Sequence, residues 1–270
     1  MSTSFTIGLG NATLAGVRAG TGKAVVFLHA GVADKRMWAA QLADLGQEYL
    51  TIAYDRRGFG ETVTPDEPFS NVEDLRQLLD ELGIASAVLV GCSQGGRIAI
   101  DFTLAYPERA EALVLIASAI SGAPPPGDLE PDVEALVDEL DNAEEAGDLN
   151  RVNEMEAILW LDGPTSPVGR VSGAARDLFL DMNGIALAHP ELTQEIEPPS
   201  AYGRLDQLTI PVLVLWGDLD LAHMYDRAQA LVTSIPDARG VEIPGTAHLP
   251  NLEQPETINT LISDFLKEVT

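Results

Sequence analysis

The sequence predicts an α/β protein with a mostly parallel central sheet and helices on both of its faces, and three observations lead there. Short runs rich in Val, Ile and Leu recur along the chain, longer stretches with helical spacing separate most of them, and 270 residues with 46% hydrophobic content suffice for one layered core. Parallel neighbours need a long crossover between them, so regular alternation of strand and helix selects the parallel sheet.

Residues 4–7 and 14–19 are predicted strands of an antiparallel hairpin at one edge. Residues 24–28, 50–54, 87–90, 112–116, 212–216 and 240–243 are the short apolar runs expected of buried strands. Between them, residues 37–45, 72–82, 95–106, 226–235 and 257–269 carry helical spacing. The alternation breaks between residues 121 and 203, where Pro124, Pro125 and Pro126 lead into acidic helical segments over 131–162 and 173–188 with no strand candidate. This predicts a core of residues 1–120 and 204–270, with residues 121–203 inserted into the same domain as a helical cap. A separate domain is the weaker reading, because roughly 80 residues with few large apolar side chains make a marginal core alone.

Lys and Arg number 16 against 42 Asp and Glu, a net charge of -26 that repels nucleic-acid phosphates and anionic membranes. Neither is an expected partner. The single cysteine, Cys92, excludes an intrachain disulfide. Residues 1–11 have neither the basic start nor the apolar run of a signal peptide, and no stretch approaches the roughly 18 apolar residues of a membrane span. The expectation is a cytoplasmic protein acting on a small molecule, with monomer and homo-oligomer both compatible.

Chemistry concentrates first at Gly91-Cys92-Ser93-Gln94-Gly95-Gly96, a G-x-S-x-G sequence between a predicted strand and a predicted helix. In that context the turn is sharp enough to expose the serine hydroxyl, and the glycines remove side chains that would clash. Cys92 lies off centre and is expected to pack. A serine hydroxyl needs a base, and the base needs an acid to hold its tautomer. Of four histidines, His29 ends an early strand and His189 precedes Pro190 in the predicted cap, which leaves His223 and His248. His248 follows the strand 240–243 in the loop Gly245-Thr246-Ala247-His248, at the sheet edge where sites gather, and is the preferred base. The strand 212–216 runs into Gly217-Asp218-Leu219-Asp220, where either carboxylate is a candidate acid. For the developing oxyanion, the backbone N–H of Gln94 stands at a helix start, and a second donor is expected from the loop His29-Ala30-Gly31-Val32, chiefly Gly31.

Over residues 14–120 and 204–268 the chain resembles the α/β-hydrolase superfamily. The likeness is carried by Leu28-His29-Ala30-Gly31 with Trp38 downstream, Asp55-Arg56-Arg57-Gly58-Phe59-Gly60, residues 91–96, and residues 217–220 with His248. The resemblance implies the α/β-hydrolase fold and selects Asp220, three residues after the Gly of the Trp-Gly segment, as the acid. The stretch from His248 to Pro255 looks like the same region of bacterial carboxylesterases and 3-oxoadipate enol-lactonase-like hydrolases. One departure is Ala30, where the oxyanion loop of such proteins has His-Gly.

The expected activity is therefore hydrolysis of an ester or lactone through an acyl-enzyme, with Ser93, Asp220 and His248 in the triad and no metal or organic cofactor. Trp38, Trp160 and Met182 are candidate substrate contacts, large apolar residues on the loop or cap side. Ser93 argues against the aspartate-nucleophile members, haloalkane dehalogenases and epoxide hydrolases. Cofactor-free haloperoxidases and carbon–carbon bond hydrolases use the same triad, and a small-molecule receptor on this fold is the reading from another class.

Overall fold

The computed structural model describes residues 2–269. The chain begins with strands β1 (Thr3–Leu9), β2 (Ala12–Ala19) and β3 (Ala24–Leu28), then helix α1 (Ala39–Leu45), β4 (Leu50–Tyr54), α2 (Asn71–Glu81), β5 (Ala87–Cys92), α3 (Gln94–Ala105) and β6 (Ala110–Ile116). Helices α4 (Pro131–Glu145), α5 (Leu149–Glu156) and α6 (Ala174–Ala188) follow without an intervening strand. The chain then closes with β7 (Val212–Gly217), α7 (Ala222–Ser234), β8 (Ala238–Ile243), α8 (Pro250–Glu253) and α9 (Pro255–Val269).

The strands form one eight-stranded sheet in the order β1-β2-β4-β3-β5-β6-β7-β8. β1 pairs with β2, and β2 with β4, antiparallel, while every pairing from β4 to β8 is parallel. The α/β-hydrolase fold read from the sequence is thus the observed one. Alternation along the central strands sorts their side chains to two faces. Val26, Leu28, Leu89, Leu113 and Val214 pack with α2, α3 and α7, whereas Val25, Phe27, Val90, Val114 and Leu215 pack with α1 and α9.

Some boundaries differ from the predicted ones. The helix expected over 226–235 starts at Ala222, and Leu221, Met224, Ala228 and Leu231 already mark its buried stripe. The segment 37–45 divides into a 3₁₀ turn, Lys35–Trp38, and α1, because the Asp34 carboxylate caps the turn by accepting from Arg36 N–H at 2.8 Å. The helical stretch 131–162 also breaks. Gly147 takes φ +67°, Asp148 caps α5, and the last turn widens into a π-helix, Ala157–Asp162.

Both ends of the helical segment are tied at one point. Ser121 O accepts from Ala201 and Tyr202 N–H, and Ser121 Oγ donates to Asp101 on α3 at 2.5 Å. One isolated parallel bridge, Phe69 to Glu195, joins its exit to the start of α2.

Candidate active site

Ser93 sits between the end of β5 and the start of α3 with φ 52° and ψ −116°, a conformation that costs a non-glycine residue energy and survives only when its surroundings impose it. They do so through hydrogen bonds: Ser93 N–H donates to Ile116 O at 2.9 Å, and Ser93 O accepts from Gly96 N–H at 3.0 Å and Ala119 N–H at 3.1 Å. The glycines permit close packing. A Cβ on Gly95 would lie 2.1 Å from Leu28 O, and one on Gly91 would lie 2.4 Å from Gly95 O. Helix α3 can therefore start directly against β3 and β5, which leaves Ser93 half-buried at the C-terminal edge of the sheet.

Two further loops leave the same edge after β7 and β8. His248 Nδ1 and Asp220 Oδ2 are 2.7 Å apart, and both side chains are almost wholly buried. The other Asp220 oxygen accepts from Leu221 N–H at 2.8 Å. Asp218 instead accepts from Gly245 N–H at 2.6 Å on the exposed side, bracing the two loops without touching His248. His223 is the second residue of α7, its Nδ1 is buried with no hydrogen-bond partner among the described residues, and burial lowers its pKa. Cys92 is fully buried and its Sγ donates to His248 O at 3.7 Å, joining the Ser93 turn to the histidine loop. Burial pushes its thiol far above the ordinary range, which fits packing and not reactivity.

In the loop after β3, Arg56 N–H donates to His29 Nε2 at 3.0 Å, so the ring proton lies on Nδ1, which is 2.7 Å from Ala30 O. His29 is fully buried, and desolvation first and Arg56 second hold its pKa well below the usual value, so it is neutral. Ala30 N–H is engaged with Met37 Sδ at 3.4 Å. Gly31 N–H and Gln94 N–H have no protein acceptor among the described residues. The Gln94 side chain lies where a Gly31 Cβ would be, 2.7 Å away at Nε2.

The candidate substrate contacts take different places. Trp38 is fully buried against Phe27, ring centroids 5.2 Å apart, and Met182 of α6 is fully buried in the same apolar cluster. Packing accounts for both. Trp160 is half-buried on the π-helix with its ring centroid 4.6 Å from that of His248, and its carbonyl accepts from His248 N–H at 3.2 Å. A cavity of about 520 Å³ is lined by Asp218, Asp220, His223, Tyr225 and the segment 126–130.

Sequence reasoning missed two residues that brace the histidine loop. Arg170, in the loop before α6, donates to Leu161 O, Asp162 O and Gly245 O at 2.8, 2.5 and 2.8 Å. Its Nη2 is 2.6 Å from Glu253 Oε2, an ion pair without hydrogen-bond alignment, while Glu253 Oε1 accepts from Ala247 N–H at 2.8 Å. Burial raises the Glu253 pKa to about 7. The only sequence signal was a lone Glu five residues after His248, which composition and periodicity do not distinguish from a surface charge.

The model of the Alpha/beta hydrolase family matches residues 25–261. The 2-hydroxy-6-oxononadienedioate/2-hydroxy-6-oxononatrienedioate hydrolase of Comamonas testosteroni is 28% identical to the chain over 265 residues, 92% of this chain and 89% of its own length. The 3-oxoadipate enol-lactonase 2 of Acinetobacter baylyi is 25% identical, covering 90% and 88%. Among solved structures, a thermophilic esterase from Thermogutta terrifontis with malate bound is similar at a TM-score of 0.77 and 27% identity, covering 100% of this chain and 99% of that one. The family match runs through the central strands, the Ser93 turn and both loops of the Asp220–His248 pair, and the chain belongs to the alpha/beta hydrolase family.

Proposed function

We propose that the protein is a serine hydrolase that cleaves a carboxylic ester or lactone through an acyl-enzyme. The observation that carries this reading is the buried hydrogen bond between His248 Nδ1 and Asp220, which commits that nitrogen to the acid and leaves Nε2 for the nucleophile. Ser93 Oγ attacks the substrate carbonyl as His248 Nε2 takes its proton, and the backbone N–H groups of Gln94 and Gly31 receive the oxyanion. Collapse breaks the bond to the leaving alkoxide, which takes the proton from His248. Water, deprotonated in turn by His248, then releases the acid and restores Ser93. In a lactone the leaving hydroxyl stays attached, and the product is one hydroxy acid.

The helical segment 121–203 acts as a cap in this reading, bringing Trp160 against His248. A second reading, hydrolysis of a carbon–carbon bond at the same residues, is favoured by the 28% identity to the 2-hydroxy-6-oxononadienedioate hydrolase.

The test is steady-state turnover of short and medium p-nitrophenyl esters and of simple lactones. Ser93→Ala and His248→Ala are each expected to lose activity by a factor of about 10⁴ or more while the fold, followed by circular dichroism, stays intact. Undiminished hydrolysis by Ser93→Ala would contradict the proposal. Single-turnover acylation without release would favour a receptor on the hydrolase fold.

A further inference from the structure

Three consecutive charged residues follow β4, and two of them are neutralised locally. The Asp55 carboxylate meets Lys35 Nζ at 2.6 Å, and Arg57 Nε meets Asp74 at 2.8 Å. Arg56 differs from its neighbours. It is 3% exposed, no carboxylate pairs with it among the described residues, and its Nε has no hydrogen-bond partner. Burial lowers its pKa to about 10, so it remains a cation at neutral pH. An unpaired buried cation is costly, and its retention calls for a use.

Its surroundings show where that charge acts. The guanidinium lies over the Phe59 ring, 4.4 Å from the centroid. Its Nη2 points at three oxygens, His29 O at 3.4 Å, Ala30 O at 3.3 Å and Gln94 Oε1 at 3.3 Å, and Nη1 reaches Gln94 Oε1 at 3.4 Å. Through its backbone N–H the same residue fixes the His29 tautomer, so that Nδ1–H donates to Ala30 O. The Ala30 carbonyl therefore receives two donors, one of them a cation. That carbonyl and the Gly31 N–H are opposite ends of one peptide unit. Hydrogen bonds in series polarise one another, and a donor at the carbonyl end strengthens donation at the N–H end. The contacts also anchor the Gln94 side chain against Gly31, holding the two proposed oxyanion donors to each other.

We propose that Arg56 is a positioning residue of the oxyanion hole: its buried, unpaired guanidinium and the His29 ring it orients hold and polarise the Ala30–Gly31 peptide, so that Gly31 N–H stabilises the tetrahedral oxyanion. This rests on the serine-hydrolase reading. It also gives a reason for Ala30: with its carbonyl held by Arg56 and His29, and its N–H by Met37, the peptide orientation does not depend on a glycine at that position.

The experiment compares wild type with Arg56→Lys, Arg56→Gln and Arg56→Met, reading kcat, KM and the inhibition constant of an aryl trifluoromethyl ketone, which forms a tetrahedral adduct with the serine. Arg56→Met is expected to lower kcat by about 10- to 100-fold with KM little changed, and to weaken the ketone by a similar factor, a fraction of what loss of a whole oxyanion donor costs. Arg56→Lys should recover more of the loss than Arg56→Gln, since it keeps the charge. If Arg56→Met does not fold, the Lys and Gln variants carry the comparison. Equal loss in KM and kcat without selective weakening of the ketone, or Gln matching Lys, overturns the proposal. Ser93→Ala runs beside them: if it retains turnover, the hydrolase reading itself fails and this inference with it, whereas an inactive Ser93→Ala beside fully active Arg56 variants removes only the role of Arg56.

Discussion

At the scale of single residues, two carboxylates two positions apart have different partners. Asp220 is buried on His248 Nδ1, and Asp218 braces Gly245 N–H at the exposed side of the same loops. Asp220→Asn should cost about 10⁴-fold in kcat, because the amide favours the wrong imidazole tautomer and leaves the charged form without its counter-charge. Asp218→Asn keeps an acceptor for Gly245 N–H and should stay within about threefold of wild type. Rate measurements on both variants with one p-nitrophenyl ester check the pair, and a larger loss in Asp218→Asn would assign the acid to the wrong residue. The turn at Ser93 was legible in the sequence because glycines at two fixed offsets, between a strand and a helix, mark a tight strand-to-helix turn. Arg56 was not. In the sequence it is one of two adjacent arginines, and only the structure separates the paired Arg57 from the unpaired Arg56.

At the scale of elements, the π-helix Ala157–Asp162 and the loop holding Arg170 are stitched to the loop that carries His248. Gly163 ends the π-helix at φ +93°, and a Cβ there would lie 2.6 Å from Leu219 O in the loop before Asp220. The helical segment thus helps to locate the histidine, and Arg170→Ala should lower kcat about tenfold while Ser93 still reacts with a fluorophosphonate. Glu253 adds a pH dependence. Its folded pKa, raised to about 7 chiefly by burial, lies above its unfolded value, so the folded state holds an extra proton between the two. The stability associated with that proton is fully present below the unfolded pKa and is lost as pH rises through about 7. His29, buried and neutral, acts in the opposite sense as pH falls below its unfolded pKa, so the comparison must be differential. Glu253→Gln should gain Tm relative to wild type as pH is raised from about 5 to about 7.5, measured by scanning calorimetry in matched buffers. A constant difference across that range would exclude Glu253 as the titrating group.

At the scale of the whole molecule, strand and helix alternation was sufficient to read the sheet, because β3, β5 and β7 are buried along their whole length and therefore apolar throughout. Two of the boundaries that moved were set locally, by the Asp34 cap and the Gly147 break, which carry no periodicity. The apolar cluster on one face runs past the sheet edge through Cys92 and Leu249 to Leu161, Phe179 and Met182. Core and helical segment share that packing, and large apolar residues selected from sequence as substrate contacts, Trp38 and Met182, are part of it. The arrangement concentrates three loops at one sheet edge around a single serine. The measurement that tests this most directly is the intact mass of the protein after exposure to a fluorophosphonate, with Ser93→Ala treated alongside. One adduct on wild type, mapped by peptide sequencing to Ser93 and absent from the variant, is the expected result; an unlabelled wild type, or equal labelling of Ser93→Ala, would contradict a serine nucleophile at this position.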